Sequence, residues 1–188
     1  MFARTERLLL RPAWQEDAPA LFHAIADEGI VRNLAKAPWP YRLEDAEAFV
    51  SRPGEAAHPA LLIFRRASEG PTLIGAIGLG TAESGATELG YWIARPHWGC
   101  GYATEAGRAL IAVARHSLRL DKLLAGHFLD NPASGRVLRK LGFTPTGAIG
   151  SRHSVGRGEA VPCAEFVLDL GPLSGAGEEL DACDMMAA

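Results

Sequence analysis

The sequence predicts an α/β fold built on a mixed, largely antiparallel sheet, and three observations carry that reading. Short β-patterned runs at residues 61–65 and 73–80 are joined by the turn Ser68-Glu69-Gly70-Pro71, and the turn Ser84-Gly85 then leads into a third run beginning at Glu88. Strands joined so tightly pair antiparallel. The run from Glu88 and a later one at residues 123–128 are instead separated by a helical stripe of Ala103, Ala106, Leu110, Val113 and Ala114. A crossover of that length makes its two strands parallel neighbours. Finally, 188 residues with 48% hydrophobic and 22% charged content suit one globular domain with a substantial core.

Taken in order, residues 6–12 read as a first strand that stops at Pro12. Glu16 and Asp17 then open a helix whose apolar stripe is Ala20, Leu21, Ala24 and Ile25. Residues 30–41 are irregular because Pro38 and Pro40 deny a continuous helix. Residues 43–50 form a second short helix, and the meander follows. After residues 123–128, Asn131 is placed to cap a helix, Pro132 suits its first turn and Gly142 its end. That helix turns Val137, Leu138 and Leu141 inward. Residues 144–150 and 161–170 close the chain as a hairpin around Gly156-Arg157-Gly158. The domain is expected to span residues 1–170. Residues 171–188, rich in Gly, Ala and acids, read as a disordered tail.

Composition excludes several classes. The apolar runs are too short to cross a bilayer and the first residues do not make a signal peptide, so a cytoplasmic protein is expected. Cys100, Cys163 and Cys183 are scattered, which implies reduced thiols and no metal. Residues 95–157 hold ten Lys/Arg against three acids, whereas residues 1–94 hold nine against twelve. A basic half joined to an acidic half suits an anionic cofactor on one side and a cationic acceptor on the other. No basic run with interleaved aromatics points to nucleic acid.

The chemistry concentrates at residues 88–105, Glu-Leu-Gly-Tyr-Trp-Ile-Ala-Arg-Pro-His-Trp-Gly-Cys-Gly-Tyr-Ala-Thr-Glu. An apolar strand closes at Arg95-Pro96, and a glycine turn opens directly into a helix. Glycines let backbone N–H groups approach a ligand, and a helix start adds unpaired donors and partial positive charge. The stretch is either a seat for phosphate or an ordinary strand–loop–helix junction. A P-loop would need Lys and Ser/Thr after Gly101, and a dinucleotide fingerprint would need glycine at Thr104.

These residues resemble the coenzyme A pyrophosphate loop of the GNAT superfamily of acyl-CoA N-acyltransferases, in the branch of the ribosomal-protein-alanine N-acetyltransferases. Glu88 to Trp92 and Trp98 to Ala106 follow that branch almost letter for letter. Asp130 to Phe143, Asp-Asn-Pro-Ala-Ser-Gly-Arg-Val-Leu-Arg-Lys-Leu-Gly-Phe, resembles its last shared block. The resemblance implies helices on both faces of the sheet and a splayed parallel strand pair. It also implies an enzyme moving acetyl from acetyl-CoA to an amine on a small molecule or a protein N-terminus, as monomer or homodimer. A non-catalytic acyl-CoA-binding or interaction domain on the same fold is the alternative.

Carried over residue by residue, backbone groups of Trp92, Ile93 and Ala94 would bind the pantetheine arm. Trp98, Gly99, Cys100, Gly101, Tyr102, Ala103 and Thr104 would take the pyrophosphate. Asn131 would meet the pantetheine, and Arg136, Arg139 or Lys140 the adenosine phosphate. The tyrosine acid common in the wider superfamily is replaced by Leu138, and Ser134 matches the serine of the resembled branch. Ser134 is a proton donor or simply a capping residue. Glu88 and His127 compete as the base, and each could instead be structural. Trp39 and Tyr41 contact the acceptor or pack on the core.

Overall fold

A computed structural model describes residues 1–171. Residues 172–188 fall outside the description, and with them nearly all of the expected acidic tail and its expected disorder. The chain runs β1 (Ala3–Arg4), β2 (Leu8–Arg11), α1 (Ala18–Ile25), α2 (Glu28–Val31), α3 (Leu43–Val50), β3 (Ala60–Arg65), β4 (Thr72–Thr81) and β5 (Thr87–Ile93). It continues with α4 (Tyr102–His116), β6 (Lys122–Phe128), α5 (Pro132–Lys140), β7 (Thr144–Ser154) and β8 (Glu159–Asp169). All strands join one sheet in the order β1-β2-β3-β4-β5-β6-β8-β7. Every neighbouring pair is antiparallel except β5–β6, which is parallel.

Two apolar layers cover the sheet. Residues that alternate along a strand face opposite sides, and β3 shows this plainly. Leu61 and Ile63 join the core under α4 and α5, with Leu110, Ala114, Leu138 and Phe166. Leu62 and Phe64 join the core under α1, α2 and α3, with Leu21, Ile25, Val31 and Ala46. On β5, Leu89, Tyr91 and Ile93 belong to the first layer and Trp92 to the second.

The run at residues 6–12 holds one strand, β2, and a two-residue strand, β1, precedes it across a turn in which Thr5 N–H donates to Leu8 O at 3.0 Å and the Thr5 hydroxyl receives the Leu8 N–H at 2.9 Å. The irregular segment also starts with a turn of helix, α2, because Asp27 caps it by accepting from Gly29 N–H at 2.7 Å.

Arg11 and Asp17 fasten the end of β2 to the start of α1 through two bonds of 2.7 Å, and both are buried. The guanidinium is also sandwiched between Trp14 and Phe64, 3.7 and 4.2 Å from their ring centroids. Burial pushes the Asp17 carboxyl up, but hydrogen bonds from Arg11 and the Trp14 N–H outweigh it and hold the group below its ordinary value. A depressed carboxylate adds stability above its unfolded pKa of ~3.9 and loses it as pH falls through the lower folded value. Asp17→Asn is expected to cost about 3 kcal/mol at pH 7, since it strands a buried cation. Urea denaturation at neutral pH and again well below pH 4 checks this, with the difference between the proteins shrinking in acid.

Candidate functional site

The phase of the β4–β5 ladder decides which backbone groups are free. Ala94 N–H donates to Ile74 O at 2.8 Å, and Ala82 N–H to Ala86 O at 2.9 Å. These bonds lie on the register that pairs Trp92 with Ala76 and Glu88 with Gly80. Hydrogen-bonded pairs alternate along an antiparallel ladder. Glu88, Gly90, Trp92 and Ala94 therefore turn their backbone groups toward β4, and Leu89, Tyr91 and Ile93 turn theirs toward β6. On that side β5 and β6 share a single pair, Glu88 with Leu124. Beyond it the strands diverge, leaving the N–H groups of Tyr91 and Ile93 on an open edge. Of the three residues that the resemblance selects, only Ile93 offers its N–H to the gap. Trp92 and Ala94 spend theirs on β4.

The glycine loop follows. Gly99 and Gly101 have φ of 76° and 81°, a left-handed conformation that other residues adopt only with strain. The first intrahelical bond of α4 runs from Glu105 N–H to Gly101 O at 3.0 Å, so the N–H groups of Tyr102, Ala103 and Thr104 have no helical partner. They form an anion seat at the start of a helix of 15 residues. The Trp98 indole N–H donates to the Ile93 carbonyl at 2.6 Å and folds the loop back on the open edge. From the other side Arg7 Nη1 donates to the Cys100 carbonyl at 3.1 Å, while Arg7 also pairs with Glu105 at 2.6 Å. Burial, with Arg65 adding to it, lowers the His97 pKa beside the loop.

Across the gap, the Asn131 side chain caps α5 by accepting from Ser134 N–H at 3.3 Å. The Ser134 hydroxyl stands 2.8 Å from the Tyr91 phenol. Arg136 and Lys140 line the same cleft, of about 1380 Å³. Arg139 does not, since its guanidinium lies 5.5 Å from the Phe166 ring centroid. Leu138 is fully buried in the core.

Glu88 and His127 are brought to one cleft but not to one face. The β5 alternation puts the Glu88 side chain on the layer of α1, α2 and α3, where Arg152 of β7 binds its Oε1 at 2.7 Å. His127 lies under α5, and a Cβ added at Gly135 would sit 2.5 Å from its Nε2. Its Nδ1 must carry a proton, because it donates to the Phe128 carbonyl at 2.8 Å. Tyr41 lines the cleft from a buried position that pushes its phenol up to about 12, with Asp45 adding to the effect of burial. Trp39 is exposed and is not among the lining residues, and neither are Ala94 and Cys100.

The far wall is a docked turn. Val155 N–H donates to Ala35 O at 2.9 Å and the buried Ser154 hydroxyl to Leu34 O at 2.9 Å. Arg157 forks onto Asp130 at 2.8 and 2.9 Å, and Arg32 joins at 3.1 Å. The Arg157 hydrogen bond outweighs the effect of burial and holds the Asp130 carboxyl below its usual range. Among the described residues no group of three or more His, Cys, Asp or Glu could hold a metal, and no helix is long and apolar enough to cross a membrane.

Comparison with known proteins gives this arrangement a family. A family model described as "Acetyltransferase (GNAT) domain" matches residues 7–144. The chain belongs to the GNAT acetyltransferases. The uncharacterized N-acetyltransferase YoaA of Bacillus subtilis is 30% identical over 157 residues, covering 77% of this chain and 84% of that protein. The uncharacterized N-acetyltransferase p20 of Bacillus licheniformis is 29% identical over 152 residues, covering 77% and 83%. Among solved structures, a GNAT-family acetyltransferase from Bacillus anthracis superposes with a TM-score of 0.76 at 22% identity, covering 90% of this chain and 99% of that one. RimL, a ribosomal L7/L12 alpha-N-protein acetyltransferase solved with coenzyme A, gives 0.72 at 19% identity, covering 90% and 98%.

In this N-acetyltransferase Gly99, Gly101, Asn131 and Ser134, which the sequence singles out, border the cleft, and so do Arg152 and Tyr91, whose side chains it does not single out; Arg7 braces the loop from outside. Tyr91 stood inside the quoted motif, and strand alternation would have sent its side chain away from Glu88. Nothing local marks Arg7 or Arg152, which arrive from the β1–β2 turn and from β7. The loop geometry itself is testable. A Cβ at Gly101 would meet nothing closer than Arg7 Nη2 at 3.6 Å, so the cost of Gly101→Ala is backbone strain alone. Chemical denaturation is expected to show a loss of about 1–2 kcal/mol, and an unchanged midpoint would contradict the left-handed geometry.

Proposed function

We propose that residues 1–170 act as one unit that transfers acetyl from acetyl-CoA to a primary amine, on a protein N-terminus or a small molecule, by direct attack. The observation that carries this reading is the open edge of β5. It forms a continuous line of free donors from the loop at Gly99 to Thr104, past Ile93 and Tyr91, to the point where Glu88 and Ser134 face the gap from opposite sides. Pyrophosphate at the loop and pantetheine along the edge would bring a thioester to that point. The structure of RimL with coenzyme A supports this donor, as does that of the microcin C7 self immunity acetyltransferase MccE with acetyl-CoA and AMP, which superposes with a TM-score of 0.70 at 17% identity.

In the reaction, Glu88 takes the proton of the incoming ammonium, and Arg152 fixes the carboxylate so that it faces the acceptor wall. The amine nitrogen then attacks the thioester carbon. An edge N–H polarises the carbonyl oxygen as it gains charge. The C–N bond forms, the C–S bond breaks, and Ser134 donates a hydrogen bond to the departing thiolate, whose proton comes from the nitrogen. Glu88 is preferred to His127 because His127 is turned under α5, away from the wall where an acceptor enters.

Incubation with acetyl-CoA and a panel of free N-terminal peptides and polyamines tests the reading, with the acetylated amine and released coenzyme A measured together. One acetyl should appear per coenzyme A released. Glu88→Gln should lower turnover at neutral pH by ~10²–10⁴-fold and leave acetyl-CoA affinity nearly intact. Full turnover in Glu88→Gln together with abolished turnover in a folded His127→Ala would move the base to His127.

A further inference from the structure

Ser134 is not alone at the sulfur's expected position. The Tyr91 hydroxyl lies 2.8 Å from Ser134 Oγ and 3.4 Å from the Ser134 carbonyl. Within α5 that carbonyl is the acceptor for the N–H four residues on. The short contact to Oγ is therefore the effective bond. Either hydroxyl can donate in that contact, and the phenol, the more acidic of the two, is the better donor. Burial pushes the Tyr91 phenol up to about 12, against a smaller opposing pull from its bond to Ser134, so its proton is present throughout the physiological range. With the phenol donating to Oγ, the serine proton is left to point elsewhere, and Ser134 lines the cleft.

Resting on the reading of Ser134 above, we infer that Tyr91 is a positioning residue. Its O–H occupies the acceptor side of Ser134 Oγ and so aims the serine O–H at the sulfur of bound coenzyme A. The superfamily's tyrosine is absent at Leu138, and here a tyrosine acts instead from the strand beneath, through the serine. No proton needs to leave Tyr91. The pair supplies a fixed donor to the thiolate, strengthened because the first hydrogen bond polarises the second.

The test needs no acceptor, because free coenzyme A is the probe. A hydrogen bond to a thiolate favours the charged form and lowers the thiol pKa. The thiol of coenzyme A bound to each protein is titrated by its thiolate absorbance, with the desulfo-coenzyme A complex as baseline for the protein's own tyrosines. The expected result is that Tyr91→Phe and Ser134→Ala both raise the bound thiol by about one pH unit relative to the natural protein, and that the double variant rises no further. Coenzyme A affinity, followed by calorimetry at a pH where the thiol is neutral, should stay within a few-fold, roughly the loss of one weak contact. If Ser134→Ala shifts the titration and Tyr91→Phe does not, the inference about Tyr91 fails while the role of Ser134 stands. If Ser134→Ala itself shifts nothing, the reading of Ser134 fails and the inference falls with it. Should Tyr91→Phe not fold, 3-fluorotyrosine at position 91 serves instead. It keeps the ring and makes a stronger donor, so it should move the bound thiol downward, and no movement would overturn the inference.

Discussion

Everything at this site depends on β5 and β6 parting after a single shared pair, Glu88 with Leu124. Each strand is held on its other side by a long antiparallel ladder, β5 by β4 and β6 by β8. The sheet can therefore open at its middle without coming apart. Opening leaves backbone donors of Tyr91 and Ile93 without strand partners, and such groups are costly to leave unpaired once water is excluded. A ligand with amide groups along an extended arm would supply the missing ladder.

The same strand then decides which chemistry reaches the gap. Alternation sends Glu88 and Trp92 to the face of α1, α2 and α3, and Tyr91 to the face of α5. A group lying in the gap is approached by a carboxylate from one side and by a hydroxyl pair from the other. The Arg152 ion pair fixes the first, and the capped start of α5 fixes the second. The two fixings come from α5 and the next element, β7, and they reach the gap from opposite sides because the closing hairpin places β8 beside β6 with β7 beyond it.

That distribution explains what the sequence could disclose. The meander, the parallel crossover and the glycine loop were legible because each rests on local rules: turn residues, helical periodicity and the conformational needs of Gly99 and Gly101. Asn131 as a cap was legible for the same reason, and the structure shows it accepting from Ser134 N–H. Arg7 and Arg152 were not, because their partners Glu105 and Glu88 lie 98 and 64 positions away and no pattern links them. The open donors of β5 were half legible. The motif gave the right strand, but which of its N–H groups are free depends on ladder phase, which is set by bonds from Ala94 to Ile74 and from Ala82 to Ala86. The short strand β1 escaped notice because two residues carry no pattern of their own, and the turn after it rests on the Thr5 side chain.

The central claim is that the edge of β5 beyond Glu88 is the docking line for acetyl-CoA. Residue-resolved amide hydrogen exchange, with and without saturating acetyl-CoA, tests it most directly. The account predicts that the amides of Tyr91 and Ile93 exchange quickly in the free protein and slow sharply on binding, while those of Trp92 and Ala94, already bonded to β4, barely change. Unchanged exchange at Tyr91 and Ile93 in the acetyl-CoA complex, or protection that falls on Trp92 and Ala94 instead, would contradict it.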